Sequence, residues 1–322
     1  MVFARAGSAV AVLMMSISVA AAQSYPNKPV RLVIPFPPGG GTDAVARVVA
    51  PKLSAATGQQ WVVDNRGGAA GNIAAEIVAH ADADGYTVLQ GFSTTMTVNK
   101  SLYRKIPFDP VRDFAPVTQT VSSQYMLTVH PSVAAKSVAE LVALAKAKPS
   151  SLNFSTAGVG SPLHLAGELL NSRAGIKLVA VPYKGGGPAA AAVLAGEAQL
   201  GFSSLASAMA NVRAGRIRAL AVTGPERSKV LPELPTISES GYHGYSVTTW
   251  QSMTVPAGTP AAVIRRIHDE TVKVLALPDV VKFLHNLGYE INASTPEKLA
   301  EIMRSESQTW AKVIRDANIR AD

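Results

Sequence analysis

Two segments of this chain share one build: an apolar run, a glycine-rich loop, then the start of a helix. The first is Val30 to Ile34, followed by Pro35-Phe36-Pro37-Pro38-Gly39-Gly40-Gly41-Thr42-Asp43 and the helical Ala44 to Val49. The second is Leu152 to Thr156, followed by Ala157-Gly158-Val159-Gly160-Ser161-Pro162 and the helical Leu163 to Leu170. A buried strand that turns directly into a helix belongs to an α/β fold, because a parallel neighbour can be reached only through a crossover. The turn also leaves N–H groups unpaired at the positive end of the helix dipole, where a small anion can approach. Two such turns in one chain imply a clamp for a carboxylate.

The rest of the chain repeats the alternation. Val30 to Pro35, Trp61 to Val63 and Tyr86 to Gly91 read as strands, with helices over Asp43 to Ala56 and Gly71 to Ala81 between them. That βαβαβ order predicts a parallel sheet with right-handed crossovers. Pro51 should kink or end the first helix. The stretch Leu102 to Pro116 carries Pro107, Pro110 and Pro116 and reads as irregular. Beyond it, Met126 to Val129, Val179 to Tyr183, Leu200 to Ser204 and Ile217 to Thr223 read as strands. Ser137 and Glu140 form a capping box ahead of a helix that ends at Ala147. Trp250 to Pro256 reads as a crossing segment, and two amphipathic helices follow, Pro260 to Leu275 and Pro296 to Ala317. Terminal helices that pack back give a first lobe of 25–124 plus 247–322 and a second of 125–246, with the two crossings as hinge.

Composition narrows the function. The chain has 322 residues, with 48% hydrophobic and 16% charged residues, which excludes a disordered class. It has no cysteine, hence no disulfide, thiol nucleophile or zinc–thiolate site. Arg5, the apolar stretch Ala9 to Ala22 and the small residues Ala20-Ala21-Ala22 have the form of a signal peptide over 1–22. A periplasmic product is the expectation. The net charge of +8 is spread out, and only Arg104-Lys105 and Arg265-Arg266 adjoin, so no nucleic-acid surface is indicated. Gly-x-Ser-x-Gly, a Walker loop, a dinucleotide fingerprint and His-Glu-x-x-His are all absent, so neither a catalytic residue, a metal nor a cofactor is expected.

The residues that could hold a ligand follow from the loops. Pro37, Gly39, Gly40, Gly41 and Thr42 form the first loop, where three glycines exceed the needs of a turn. Asp43 would repel an anion unless it points away and serves the helix N-terminus. Ser155, Thr156, Gly158, Gly160 and Ser161 form the second loop, with Ser161 equally suited to a plain N-cap. His164 either bonds a ligand or packs as a structural histidine. Ala70 and Gly71 lie in the small-residue loop Gly67 to Asn72. Lys184 and Gly185 end a strand, the lysine either pairing with a distal carboxylate or standing in solvent. Ser93, Ser203, Ser204 and Trp250 complete the candidates at predicted strand ends and crossings.

Several segments together resemble a known family: Tyr25-Pro26, Lys28-Pro29, Pro35 to Asp43, Asp64-Asn65-Arg66, Asp84-Gly85-Tyr86-Thr87, Ser155 to Leu165, Val181 to Gly185, Leu220 to Thr223, Leu234-Pro235-Thr236 and Pro256 to Pro260. In this order they are similar to the substrate receptors of tripartite tricarboxylate transporters, the Bug family. The resemblance implies a type II periplasmic binding protein, with two α/β lobes around a ligand cleft and a two-segment hinge. It implies a small organic-anion ligand, a mono- or dicarboxylate, aromatic acids and some amino acids included, that is passed to transmembrane permease subunits; a monomer is expected. One carboxylate would lie between the two glycine loops. The family usually has Pro-Gly-Ala-Gly-Gly where this chain has Gly67-Gly68-Ala69-Ala70-Gly71, and many members have an acid near Phe202 where this chain has Ser203-Ser204. Two readings stand beside a transport receptor: a secreted hydrolase or isomerase on the same scaffold, and a receptor that signals to a sensor.

Overall fold

The computed structural model describes residues 25–229 and 231–321; the signal segment expected over 1–22 lies outside them. The elements in chain order are β1 (Val30–Ile34), α1 (Gly41–Thr57), β2 (Trp61–Asn65), α2 (Asn72–Ala79), β3 (Thr87–Phe92), a π-helical turn (Thr94–Val98), α3 (Asn99–Leu102) and β4 (Phe114–Val129). Then come α4 (Val138–Ala147), β5 (Asn153–Thr156), α5 (Pro162–Ala174), β6 (Val179–Pro182), α6 (Gly186–Ala195), β7 (Leu200–Ser204), α7 (Leu205–Arg213) and β8 (Arg218–Val222). The chain closes with β9 (Thr248–Pro256), α8 (Ala261–Leu275), α9 (Pro278–Asn286), β10 (Glu290–Ile291) and α10 (Pro296–Asp316).

The strands form one mixed sheet in the order β2-β1-β3-β9-β4-β7-β5-β6, with β8 and β10 also paired to β4. β4 joins its halves. Phe114 to Gln124 pair antiparallel with β9, and Tyr125 to Val129 pair with β7, while β8 takes Met126 to Val129. β1 and β3 run with β4, being parallel to each other and two antiparallel steps from it through β9. β5 and β7 are parallel to each other and antiparallel to β4. The carboxyl ends of β1 and β3 therefore face those of β5 and β7 across the Gln124–Tyr125 changeover. Loops at carboxyl strand ends are where open α/β sheets bind ligands.

Each half has its own core. In the first, Leu32, Ile34, Val45, Leu53, Ile267 and Leu284 pack between the sheet and α1, α8 and α9, and Leu89, Met96, Trp250, Leu299 and Met303 pack on the opposite face. In the second, Leu127, Phe154, Leu165 and Leu169 form one cluster. The apolar face of α10 is divided. Leu299 and Met303 belong to the first half, whereas Trp310, Val313 and Ile314 join the second. The sequence reading packed this helix on the first lobe alone; instead it straps the two halves.

Three local expectations need correction. Pro51 neither ends α1 nor shortens it, because Val49, Ala50 and Leu53 around it are buried and hold the helix through to Thr57. The segment Trp250 to Pro256 is not a free crossing but lies inside β9, hydrogen-bonded on both sides. β4 begins twelve residues before the predicted Met126, and Pro116 sits at a register shift where a missing N–H is tolerated. Half of the capping box forms: Ser137 Oγ accepts from Glu140 N at 3.2 Å, but Glu140 Oε2 accepts from Lys136 N, one residue before the cap, at 2.8 Å.

Candidate functional site

The first glycine loop is shaped from behind by a buried carboxylate. Asp43 Oδ2 accepts from Arg47 Nε at 2.8 Å and from Gly39 N at 2.9 Å, and its Oδ1 accepts from Asn65 Nδ2 at 3.0 Å. The Arg47 hydrogen bond holds the Asp43 carboxyl below the usual carboxylate range. Asp43 thus points into the protein and ties the turn, as its position at the helix start requires. Gly39, at φ +90°, has its N–H taken by this tie. The N–H groups of Gly41, Thr42 and Asp43 belong to the first turn of α1, which has no carbonyl partner of its own. Among the described residues none of them finds another acceptor, and neither does the Thr42 hydroxyl has a partner.

These donors open on a cavity of about 390 Å³ lined by Phe36, Gly40, Gly41, Thr42, Phe92, Ser123, Tyr125, Ser204, Thr249, Leu287 and Tyr289. Ser204 comes from the second half of the sheet, where it is the N-cap of α7 and accepts from Ser207 N at 3.3 Å. Two helix N-termini from opposite halves therefore meet at one space. The lining holds neither a cationic nor an acidic side chain. It offers N–H groups, hydroxyls and phenols, with Phe36 and Phe92 in edge-to-face contact at 5.2 Å as an apolar wall. Burial pushes the Tyr125 phenol up to about 12 and the Tyr289 phenol above its ordinary value, so both are protonated donors at neutral pH. Such a surface can hold an anion through fixed dipoles and exclude much of its water.

The second glycine loop is arranged differently. Gly158 N donates to Thr156 Oγ1 at 3.3 Å, Ser161 N to Gly158 O at 3.2 Å, His164 N to Ser161 Oγ at 3.3 Å and Gly160 N to His164 Nδ1 at 3.0 Å. Ser161 is thus the N-cap, and His164 is a structural acceptor. Burial lowers the imidazole and raises the neighbouring Glu168 carboxyl. The ring is neutral and its proton lies on Nε2, 3.7 Å from Glu168 Oε1. Ser155 is not aimed at the loop: its hydroxyl is buried, unpaired, against Gly201 on β7. Gly160, at φ +72°, packs on the Leu102 side chain of α3, where a Cβ would collide. The N–H groups of Val159 and Leu163 have no partner among the described residues. None of residues 155–161 lines the 390 Å³ cavity beside Gly41.

The other candidates divide in the same way. Pro37 stands against Gly67. Ala70, at φ 53°, is a non-glycine in the left-handed region and presents its carbonyl to Thr95 Oγ1 at 3.0 Å and Asn99 Nδ2 at 3.1 Å. Gly71 has Thr95 and Pro35 where a Cβ would lie. Ser93 is buried at the head of the π-helical turn, its carbonyl accepting from Thr97 Oγ1 at 2.8 Å. Ser203 is buried in β7 opposite Met126. Lys184 is exposed with no ion partner among the described residues, and Gly185 N closes a turn onto Tyr183 O at 3.0 Å. Trp250 lies in β9 and, with Glu306, lines a second cavity of about 470 Å³. Its indole is 1% exposed, and Nε1 donates to both Glu306 oxygens, at 3.0 and 2.9 Å. Burial pushes that carboxyl up to about 7. The sequence reading missed Phe36, Phe92, Ser123, Tyr125, Thr249 and Tyr289, which only the fold brings together. Among the described residues no group of three His, Asp or Glu is placed to hold a metal, and no helix is long and apolar enough to cross a membrane.

Comparison with known proteins gives the family and the fold. The profile of the tripartite tricarboxylate transporter family receptor, TctC, matches residues 45–319. The UPF0065 protein of the tcbD-tcbE intergenic region in Pseudomonas sp. (strain P51) is 39% identical over 98% of this chain and 94% of its own. An R. palustris protein solved with adipate is 35% identical, with a TM-score of 0.74 over 92% of this chain and 99% of its own. MatC from Rhodopseudomonas palustris, solved with bound malate, is 30% identical, with a TM-score of 0.71 over 90% of this chain and 100% of its own.

Proposed function

This chain belongs to the tripartite tricarboxylate transporter receptor family, and from that premise we propose that it is a periplasmic solute receptor for a small organic carboxylate. The observation that carries the reading is the neutral cavity where the first turn of α1 meets Ser204 of the opposite half. Its volume of about 390 Å³ lies toward the lower end of the roughly 300–1,000 Å³ range of small-molecule sites. Gly41 and Thr42 receive a carboxylate through their N–H groups and the Thr42 hydroxyl. Solved relatives hold adipate and malate, both dicarboxylates, and the uncharged lining here suits such acids better than amino acids, whose ammonium would find no carboxylate.

Lobes of 25–124 plus 247–322 and of 125–246 close on the ligand about the Gln124–Tyr125 changeover and the return at Val247–Thr248. Closure brings the free N–H groups of Val159 and Leu163, with Lys184, toward the ligand's far side. Because only the closed form makes both sets of contacts, ligand shifts the population toward closure. A membrane permease then receives the acid from the closed receptor, which a cleaved signal has delivered to the periplasm. No step of this scheme needs catalysis. Calorimetric titration with malate, adipate and aromatic monocarboxylates tests it. Saturable heat with at least one acid is expected; no heat and no shift in thermal midpoint across the panel would sink the reading.

A further inference from the structure

Tyr289 enters the cavity from the turn ahead of β10, and its buried neighbours fix where its proton points. Gln90 on β3 and Gln251 on β9 are both buried. Gln90 Nε2 donates to Gln251 Oε1 at 3.0 Å, and Gln251 Nε2 donates to the Tyr289 oxygen at 3.1 Å. The phenol is therefore an acceptor on its inner side, and its own proton meets no acceptor among the described residues. Gln90 Oε1, at the far end of the chain, is buried with no partner. Reversing both amides would turn the phenol proton inward and strand an N–H group of Gln90 in place of that oxygen. An orphaned buried N–H is rarer than an under-satisfied carbonyl oxygen, so the outward polarity is favoured. The Tyr289 hydroxyl also lies over Gly41, where any Cβ would collide with it. It stands beside the free N–H groups of the first turn of α1, on the wall of the same cavity.

We infer that Tyr289 is a specificity-determining ligand contact, its O–H joining the Gly41 and Thr42 N–H groups on one carboxylate, with Gln251 as the positioning residue that aims it. The inference rests on the carboxylate-receptor reading above. Three donors converging without a cation select an acceptor oxygen and reject an ammonium or an amide N–H at that point, because either would meet donor against donor. Gly41 is glycine for the same reason: a side chain there would displace the phenol.

The test titrates wild type, Tyr289→Phe, Gln251→Met and the double variant with the acid of the malate and adipate pair that the wild type binds more tightly. Circular dichroism and thermal midpoint report the fold. Tyr289→Phe should weaken binding about tenfold or more, as expected for a hydrogen bond to a charged group. Gln251→Met should cost severalfold in the Tyr289 background and nothing in the Phe background, since its effect passes through the phenol. Gly41→Ala, a second and independent variant, should weaken binding in the wild type and much less in Tyr289→Phe. Unchanged affinity in Tyr289→Phe overturns the inference while the receptor reading survives, since the wild type still binds. An equal cost of Gln251→Met in both backgrounds overturns the aiming role. A wild type that binds neither acid nor any other carboxylate fails the receptor reading itself.

Discussion

The two glycine loops start from the same sequence build and are put to different uses. After β1, the side chain that could cap the turn, Asp43, is drawn back by Arg47 and Asn65 and takes only the Gly39 N–H. The following N–H groups are left for something outside the chain. After β5, Ser161 and His164 turn onto their own backbone and absorb the N–H groups of His164 and Gly160, while Pro162 has none to give. Glycine content alone does not tell such loops apart. What separates them is whether nearby polar side chains compete for the helix N-terminus, as Ser and His do in the second loop.

The sharpest way to break this contrast is to change Gly160. Gly160→Val forces a branched side chain into φ +72° and onto Leu102, and should cost on the order of 3 kcal/mol in chemical denaturation. A variant as stable as wild type would mean that the second loop is not packed between the halves.

Glu306 comes next. Its carboxyl is held at about 7 rather than near the usual 4.5. A carboxyl raised on folding contributes stability that is complete below its unfolded value and is lost as pH rises through its folded one. Wild-type stability should fall relative to Glu306→Gln between those two values, by on the order of 2 kcal/mol. Paired melts across that range would read it, and parallel curves would show that Glu306 does not titrate there.

The third comparison sets the loops against each other directly. Thr42→Val should weaken carboxylate binding about tenfold, near 1.4 kcal/mol, with little change in melting. Ser161→Ala should do the reverse, costing about 1 kcal/mol of stability for a lost N-cap with a smaller change in affinity. Calorimetry and melting on both variants would settle it; equal affinity losses would erase the distinction.

Some of this was legible in the sequence. The apolar runs of β1 and β3 and the glycines between β1 and α1 gave a parallel unit whose register is now seen, and Asp43 at the third helical position read as a residue serving the turn. The central strands were hidden by their chemistry. Gln119, Thr120 and Gln124 in β4, and Gln251, Ser252 and Thr254 in β9, are buried polar residues, so neither strand shows the apolar run that marks a parallel core. The partner of Trp250 could not be read beside it, because Glu306 is supplied by a helix 56 residues later in the chain. Tyr289 was out of reach for the same reason: its partners Gln251 and Gly41 come from distant segments, and no local spacing joins them. Side-chain capping after β5 was visible only as an alternative, since Ser161 suits a ligand loop and an N-cap equally well.

The central claim is that a carboxylate is received by the first turn of α1 and not by the tied N–H groups of the second loop. Amide proton–nitrogen spectra of the ¹⁵N-labelled protein, recorded as malate or adipate is added, test it most directly. The Gly41 and Thr42 amide protons should move downfield as the site saturates, with the Gly160 amide, held by His164, moving far less. Saturable binding that leaves Gly41 and Thr42 in place while Gly158 and Gly160 shift would contradict it.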